Sequence, residues 1–580
     1  MKNLRGMPLA LVLGLVSAGA SSVRTAHAAG PYTLYVTVSG AGNHDGKTLA
    51  NAMTLAEARQ AAAAGDVVFV QKGLYQLPQL TTSFSKSGTA QNPIIWEGEI
   101  SDADLSWEAS KGKPTLSSNG ANSTVLASAI DANYQIRING DYQVFRNFVF
   151  QEDAQGRGLV QVDGNFVTVE TSASKYPSNV SSSSNHTWMV YGHDVTFRKS
   201  SFYNGSRTIL WVRKSGAGTA DNFLMEQCKL TGASNHPPIQ IMPTTNSSSA
   251  ETIKHPIVRR NVFIDNPYGD GIYSRQNEQG AFYNNLFIRS STPYSVDVHT
   301  GINAVCDTKG SFVAYNTIVE SGGNIIFNRA GNQVYFYNNL VYLTAAPTGI
   351  PYRYTDPFNA TTGHKNDYNL WFSAVGNIGD MSCDLGSQPT AKLSGIFAAY
   401  GFEEHSQIQV APEFTNAAAD DYSPMAATSK QVGAGIPISK TNGFWMDVKD
   451  DFYGNLRDAQ KPTVGAIEYG SVPAGGAGGA GGNAGAGAAG SAGTAGGSAG
   501  GPGSGGSAAG GASAGAAGNG ASAGTAGAGA TSSGSGGSAA KSSEDDGGCG
   551  CRTSQRAPTL PASALLLLGA LGWIARRRQI

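Results

Sequence analysis

Val258-Arg259-Arg260-Asn261-Val262-Phe263, Phe282-Tyr283-Asn284-Asn285-Leu286-Phe287, Val313-Ala314-Tyr315-Asn316-Thr317-Ile318 and Phe336-Tyr337-Asn338-Asn339-Leu340-Val341 are four copies of one short signature. Their common asparagines, 261, 285, 316 and 339, are separated by 24, 31 and 23 residues, intervals that belong to a solenoid rather than to a closed globule. One such repeat cannot bury its own apolar face, so successive coils must stack and set like residues above like. An asparagine at the turn between two strands tolerates left-handed φ. Its amide can also bond to the asparagine one coil up and one coil down, which satisfies polar groups inside the stack. Weaker copies at 145–150, 197–202, 225–230 and 367–372 extend the pattern, with Ser200 and Cys228 in the asparagine column. The column is read as structural.

The flanks are of another kind. Lys2 and Arg5 precede an apolar run at 9–16, and Ala26-His27-Ala28 sets small residues around a cleavage point, so 1–28 reads as a secretory signal peptide. Residues 31–470 are expected to form one body, because a solenoid grows by adding rungs. Residues 471–548 are rich in Gly, Ala and Ser and cannot bury a core; they read as a flexible tether. The tail, 549–580, carries Cys549 and Cys551, an apolar stretch at 560–575 and Arg576-Arg577-Arg578. It resembles the MYXO-CTERM sorting signal of myxobacterial surface proteins, which implies processing near Cys549 and an anchor on that cysteine. Without that resemblance it reads as a plain C-terminal membrane helix with a basic end. The chain is expected to be exported, held at the cell surface or outer membrane through its tail or released, and monomeric.

A formal net charge of −1 argues against a nucleic-acid partner, since such domains carry a basic excess. Of five cysteines, Cys228 is expected to be buried in its column slot, and Cys306 with Cys383 is the pair for any disulfide.

Near the start of the body, Tyr32-Thr33-Leu34-Tyr35-Val36-Thr37-Val38 alternates as a strand, and Thr54 with Glu57 forms a capping box for a helix over 55–64. Gly65 ends that helix before the strand Val67-Val68-Phe69-Val70, and the helix is expected to cover the open end of the first coil. This order continues through Gly73, Tyr75, Ser87-Gly88-Thr89 and Asn92-Pro93-Ile94-Ile95. The close of the body carries Asp421-Tyr422-Ser423-Pro424, Asp451-Phe452-Tyr453-Gly454-Asn455 and Val464-Gly465-Ala466-Ile467-Glu468-Tyr469. Together these resemble the extracellular right-handed parallel β-helix proteins of the pectate-lyase-like superfamily. The resemblance implies an all-β, right-handed parallel β-helix, and the repeat spacing with the asparagine column predicts about ten coils. It leaves function open among polysaccharide lyases, glycoside hydrolases, epimerases and non-catalytic surface proteins.

Strands that follow the ladder turns can be aligned by alternation: Leu210 to Arg213, Ile239 to Met242, Ile272 to Arg275, Val296 to His299 and Ile326 to Arg329. The second and fourth residues then face outward, giving one column of Trp211, Gln240, Tyr273, Asp297 and Phe327 and another of Arg213, Met242, Arg275, His299 and Arg329. Three basic residues on consecutive rungs beside aromatic rings suit a polyanionic sugar chain. Cleavage of a uronate polymer by β-elimination needs a base next to the sugar carboxylate and a cation to steady the enolate, work that Arg275, His299 and Lys309 can divide. The opposing view is a merely solvated face in which Arg213 and Arg329 pair with nearby acids. Asp265, Asp270, Glu278 and Asp297 form an acidic set around the same rungs, with Asp265 and Asp270 as candidate Ca²⁺ ligands. As a hydrolase, the same acids would supply a general acid and a water-activating base. His44 and Asp45 read as turn residues. The leading expectation is a surface-displayed lyase acting on an acidic glycan; a non-catalytic adhesin or glycan-binding protein and a glycoside hydrolase are the alternatives.

Overall fold

Each asparagine of the signature passes its amide hydrogen to the next. Asn261 Nδ2 donates to Asn285 Oδ1 at 3.1 Å, Asn285 to Asn316 and Asn316 to Asn339 at 3.0 Å, and Asn339 to Asn369 at 3.1 Å. The same oxygens accept a backbone N–H from the coil before, as in Asn285 N to Asn316 Oδ1 at 3.0 Å, and each Nδ2 also bonds a backbone carbonyl, as in Asn316 to Phe282 O at 3.0 Å. These side chains are buried with their hydrogen-bonding capacity used. Upstream, Cys228 N donates to Asn261 Oδ1 at 2.9 Å, and Ser172 N to Ser200 Oγ at 3.2 Å, so both expected substitutes hold their places in the column.

Two details differ from the sequence reading. Left-handed φ belongs to the residue before each ladder position, with Arg260 at 56°, Asn284 at 56°, Tyr315 at 53° and Asn338 at 57°, so the ladder asparagine itself contributes hydrogen bonds and not turn geometry. The copy placed at 367–372 sits one residue late: Asn366 pairs with Phe336, and Asn369 takes the ladder slot.

The protein is described here from a computed structural model, which covers residues 32–77, 82–99, 106–108, 115–117, 124–128, 134–152, 158–176, 186–205, 208–214, 220–233, 237–243, 252–266, 270–290, 299–305, 310–319, 324–329, 334–344, 352–354, 365–374, 379–381 and 401–472. Among these residues three long sheets run down the chain, of 12, 12 and 11 strands. Every neighbouring pair in them is parallel, and register carries from coil to coil, as in Val258 with Phe282, Phe282 with Val313 and Val313 with Phe336, with shifts in the third sheet between Asp270 and Ile272 and between His299 and Ile302. The chain is an all-β parallel β-helix. Inside it, large side chains from all three sheets interlock: Trp188 meets Phe150 edge-on at 5.0 Å and Phe197 at 5.2 Å, and Phe263 stacks on Phe287 at 4.6 Å.

The helix Leu55–Ala61 is shorter than the sequence suggests. Its capping box is as expected, with Glu57 N bonded to Thr54 Oγ1 at 3.3 Å and Thr54 N to Glu57 Oε2 at 2.7 Å. Leu55 and Ala58 enter the core beside Leu34 and Val36.

What lies on the outside of the coils decides where a ligand can sit. Strands Ala281–Tyr283 and Leu286–Ile288 are buried at every residue, inside and out, because the segment 401–472 folds back over them. Ile438, Phe444 and Val448 pack on Ala281, Tyr283, Phe312 and Ala314 of the first sheet, while Tyr422, Phe452, Tyr453 and Ile467 pack on Val262, Leu286, Ile288 and Val319 of the second. Arg457 pins this strap: its guanidinium lies 3.9 Å from the Tyr315 ring centroid, bonds Asn284 Oδ1 at 2.8 Å and pairs with Glu468 at 3.2 Å. Among the described residues, the clusters that seat the strap draw on the first and second sheets.

The signal peptide, the tail with Cys549 and Cys551, all of the tether beyond residue 472, and Cys306 and Cys383 lie outside the described residues. Among those described, Cys228 is buried and unbridged, and no helix is long and apolar enough to cross a membrane.

Candidate functional site

The third sheet sorts its side chains by alternation. In strand Leu210–Val212 the two aliphatic residues are fully buried and Trp211 stands half-buried on the outer face. Register then carries that outer column through Gln240, Tyr273, Asn303, Phe327 and Arg353. The column beside it begins at Arg213 and Met242, whose backbone N–H groups continue the ladder to Val190 O at 2.8 Å and Val212 O at 3.0 Å. It continues through Arg275, Val305 and Arg329.

Four of the five strands therefore align as the sequence suggests, and the fifth does not. The rung between Arg275 and Arg329 is Ile302-Asn303-Ala304-Val305, not Val296 to His299. His299 pairs with Asn324, and Gly301, two residues on, pairs with Asp270, at the opposite end of that rung from Arg275. Strand Asp270–Arg275 is six residues long, so the backbones of Arg275 and His299 are separated by roughly 15 Å or more. His299 thus leaves the column to which alternation assigned it. Asp297 and Lys309 lie outside the described residues, and Arg275, Asp270, His299 and Arg329 are placed by backbone register.

At the first rung the side chains are seen in detail. The Arg213 guanidinium lies 4.4 Å from the Trp211 ring centroid and 6.0 Å from that of Tyr191. Trp211 also meets the buried His186 ring at 4.2 Å and donates Nε1–H to Met242 O at 3.3 Å. The indole is therefore engaged by the protein rather than offered flat to a sugar. Its effect is to steady Arg213, since an aromatic face attracts the planar guanidinium. Gln240, one rung on, is only 7% exposed, recessed between the half-buried Trp211 and Tyr273.

Of the acidic set, Asp265 and Glu278 have described side chains, and each meets a basic one. Arg289 bonds Asp265 Oδ1 at 2.8 Å and Oδ2 at 3.4 Å, and bonds Asp420 at 2.6 Å, while Glu278 lies 3.9 Å from Lys254. Among the described residues no three His, Cys, Asp or Glu side chains gather as a metal site. His44 pairs with Glu57 at 3.0 Å and Asp45 accepts Lys47 N at 2.9 Å, which are structural contacts of the N-terminal loop.

A charged column that the sequence reading missed runs along the first sheet: Glu97, Arg146, Glu170, Arg198, Glu226 and Arg259 on successive coils. Opposite charges alternate and pair, at 3.2 Å for Arg146 with Glu170 and 2.7 Å for Arg259 with Glu226. That column neutralises itself. Among the described residues from Arg213 to Arg329, register sets three arginines and no acid in these two columns of the third sheet.

No family model matches the chain, and no curated protein sequence matches it significantly. Solved structures with matching architecture include a polysaccharide lyase of family PL6 from Pseudopedobacter saltans, at 12% identity over 61% of this chain and 89% of that one, TM-score 0.38. Pectate lyase Pel9A matches at 14% identity over 75% of this chain and 96% of its own, TM-score 0.35. A mannuronic-acid-specific family 6 lyase from human gut microbiota matches at 14% identity over 57% and 73%, TM-score 0.35. At these scores the likeness is that of one coiled chain to another, and nothing about this chain's chemistry is taken from it.

Proposed function

We propose that the outer face of the third sheet binds an acidic polysaccharide, and that the protein is a polysaccharide lyase cleaving a uronate glycan by β-elimination. The observation that carries this reading is the pair of columns in which register sets Arg213, Arg275 and Arg329 beside Trp211, Tyr273 and Phe327, without an acid among them, on a sheet that, among the described residues, supplies none of the clusters seating the C-terminal strap. Arginines there would bind sugar carboxylates in forked pairs, and Arg275, at the middle rung, would neutralise the carboxylate whose neighbouring C–H loses its proton. Lys309 and His299 are the remaining candidates for the base.

A second reading, glycan binding without catalysis, is favoured by one finding: register sets His299 at the far end of the rung from Arg275. Hydrolysis by paired carboxylates has less support, since Asp265 and Glu278 are each engaged by a basic side chain.

Elimination leaves a carbon–carbon double bond conjugated with the carboxyl group, which absorbs in the near ultraviolet. Incubation with a panel of uronate polymers should give rising absorbance, abolished or slowed at least tenfold by Arg275→Ala. Tight binding with neither absorbance nor new reducing ends would replace the lyase by the binding protein, and new reducing ends without absorbance would indicate hydrolysis.

For display we propose export by the signal peptide and retention through Cys549, Cys551 and the apolar tail, with the tether holding the solenoid away from the membrane. A chain ending at Ser471 should then be released folded into the medium, and Cys549→Ala should accumulate as an unprocessed precursor. Normal processing of Cys549→Ala would leave only a membrane helix.

A further inference from the structure

The corrected register shows a period that the sequence alignment hid. By backbone register, five rungs of the third sheet align Trp211 with Arg213, Gln240 with Met242, Tyr273 with Arg275, Asn303 with Val305 and Phe327 with Arg329 in two columns. An aromatic and an arginine share every odd rung; an amide and an uncharged apolar residue share every even one. Had His299 filled the fourth rung, basic residues would have run unbroken from Arg275 to Arg329. With Val305 there, they fall on alternate rungs. Where side chains are described, the surface follows the same beat: Trp211 and Tyr273 are half-buried, and Gln240 between them is 7% exposed. At the first odd rung the unit is assembled, with Arg213 over the Trp211 ring at 4.4 Å. Beyond Phe327 the column continues into Arg353 and Asp380, where the alternation ends.

Adjacent rungs are ~4.8 Å apart, so the three arginine-bearing rungs are spaced by ~10 Å and span ~19 Å. An extended 1,4-linked pyranose chain advances by about one rung per sugar. We infer that this face selects a linear glycan presenting an anionic group on every second sugar along one edge. A two-fold, diequatorially linked polyuronate meets that requirement, because its carboxylates point alternately to either side. An alternating copolymer of a uronate and a neutral sugar meets it as well. A three-fold polyuronate helix carries the same charge density and does not. Odd rungs take the carboxylates in forked pairs, and the even rungs, which carry Gln240 and Asn303, fall at the intervening sugars, whose hydroxyl groups need no cation.

This inference rests on the acidic-glycan reading, and length-resolved binding separates the two. The full chain is titrated by calorimetry with oligomers of two to seven sugars from three sources: β-1,4-glucuronan as the two-fold case, an alternating uronate–acetamido-sugar polymer, and polygalacturonate as the three-fold case. The expected result is a rise of about tenfold in affinity when the chain first reaches a second odd rung, at three sugars, and again at five, with little gain at four or six. Polygalacturonate should show neither step. Equal affinity of the alternating polymer and glucuronan supports a neutral role for the even rungs. Met242→Arg with Val305→Arg, which makes every rung basic, should raise affinity for polygalacturonate and erase the discrimination. A smooth increase with each added sugar, or equal binding of glucuronan and polygalacturonate by the unaltered chain, overturns the two-sugar period while leaving the acidic-glycan reading intact. Failure to bind any acidic oligomer overturns both.

Discussion

The asparagine ladder runs its donors in one direction, so its last member needs an acceptor, and that acceptor is a buried carboxylate. Asn369 Nδ2 donates to Glu403 at 3.1 and 3.3 Å, and Ser406 Oγ donates to the same group while accepting Asn369 N at 2.8 Å. Burial pushes the Glu403 carboxyl up from 4.5 to about 7, and the hydrogen bonds from Ser406, Asn369 and Trp371 oppose only part of that rise. The sign follows directly. Below pH 4.5 the group is protonated in folded and unfolded chains alike and its full contribution is present; as pH climbs through about 7 the folded state must ionise a buried acid, and stability is lost. A displacement of about 2.5 units corresponds to about 3 kcal/mol. Glu403→Gln keeps an acceptor for Asn369 and removes the titration. Urea midpoints for both chains, taken from pH 4.5 to 8.5, should converge at the acid end. They should separate by up to about 3 kcal/mol at the alkaline end, with the variant more stable. His405, held by Asp367 at 2.7 Å and raised by that bond, titrates in both chains and drops out of the difference. Parallel pH profiles would refute the assignment.

Three further outcomes are expected. Asn316→Ala strips partners from Asn285 N and Nδ2 and from Phe282 O inside the stack, and should cost about 3 kcal/mol or more in a denaturant melt, far beyond an ordinary surface change. Thr54→Ala removes one half of a capping box and should cost about 1 kcal/mol, with hydrogen exchange accelerated in the helix Leu55–Ala61 and unchanged in the asparagine column. Arg457→Met leaves Glu468 buried beside apolar surface and should cost about 3–5 kcal/mol, exposing the strap to limited proteolysis before the coils; a strap that stays resistant would show that its apolar contacts suffice.

The fold was legible because its signal is redundant. Four asparagines in near-identical contexts, each flanked by alternating apolar residues, leave no other way to satisfy so many buried amides, and even the imperfect copies at Ser200 and Cys228 fell into place. The one slipped copy, at 367–372, arose because Tyr368-Asn369-Leu370 preserves the look of the signature while Asn366 takes the place of Phe336's class of residue. Glu403 could not be found, since nothing local marks an acid as buried when its neighbours are Glu404 and His405. The charge column on the first sheet was visible only in part: Arg259 lies inside a quoted signature, but its partner Glu226 is one coil away, and the pairing emerges only once coils are counted.

The third sheet shows where alternation stops being enough. Val296-Asp297-Val298-His299 alternates as cleanly as any strand in the chain, and period two cannot tell it from Ile302-Asn303-Ala304-Val305 a few residues on. The deciding signal was distance to the next copy of the signature. Arg275 stands six residues before Ala281 and Arg329 six before Tyr335, while Val305 stands seven before Phe312 and His299 thirteen. A strand that ended at His299 would need a turn about twice as long as those that follow Arg275 and Arg329, the rungs on either side, before joining the first sheet. Applied as a rule, this count moves a histidine out of the arginine column and puts a valine in. The face changes from a continuous cationic stripe, which any polyanion would satisfy, to an interrupted one that asks its ligand to carry charge at every second step.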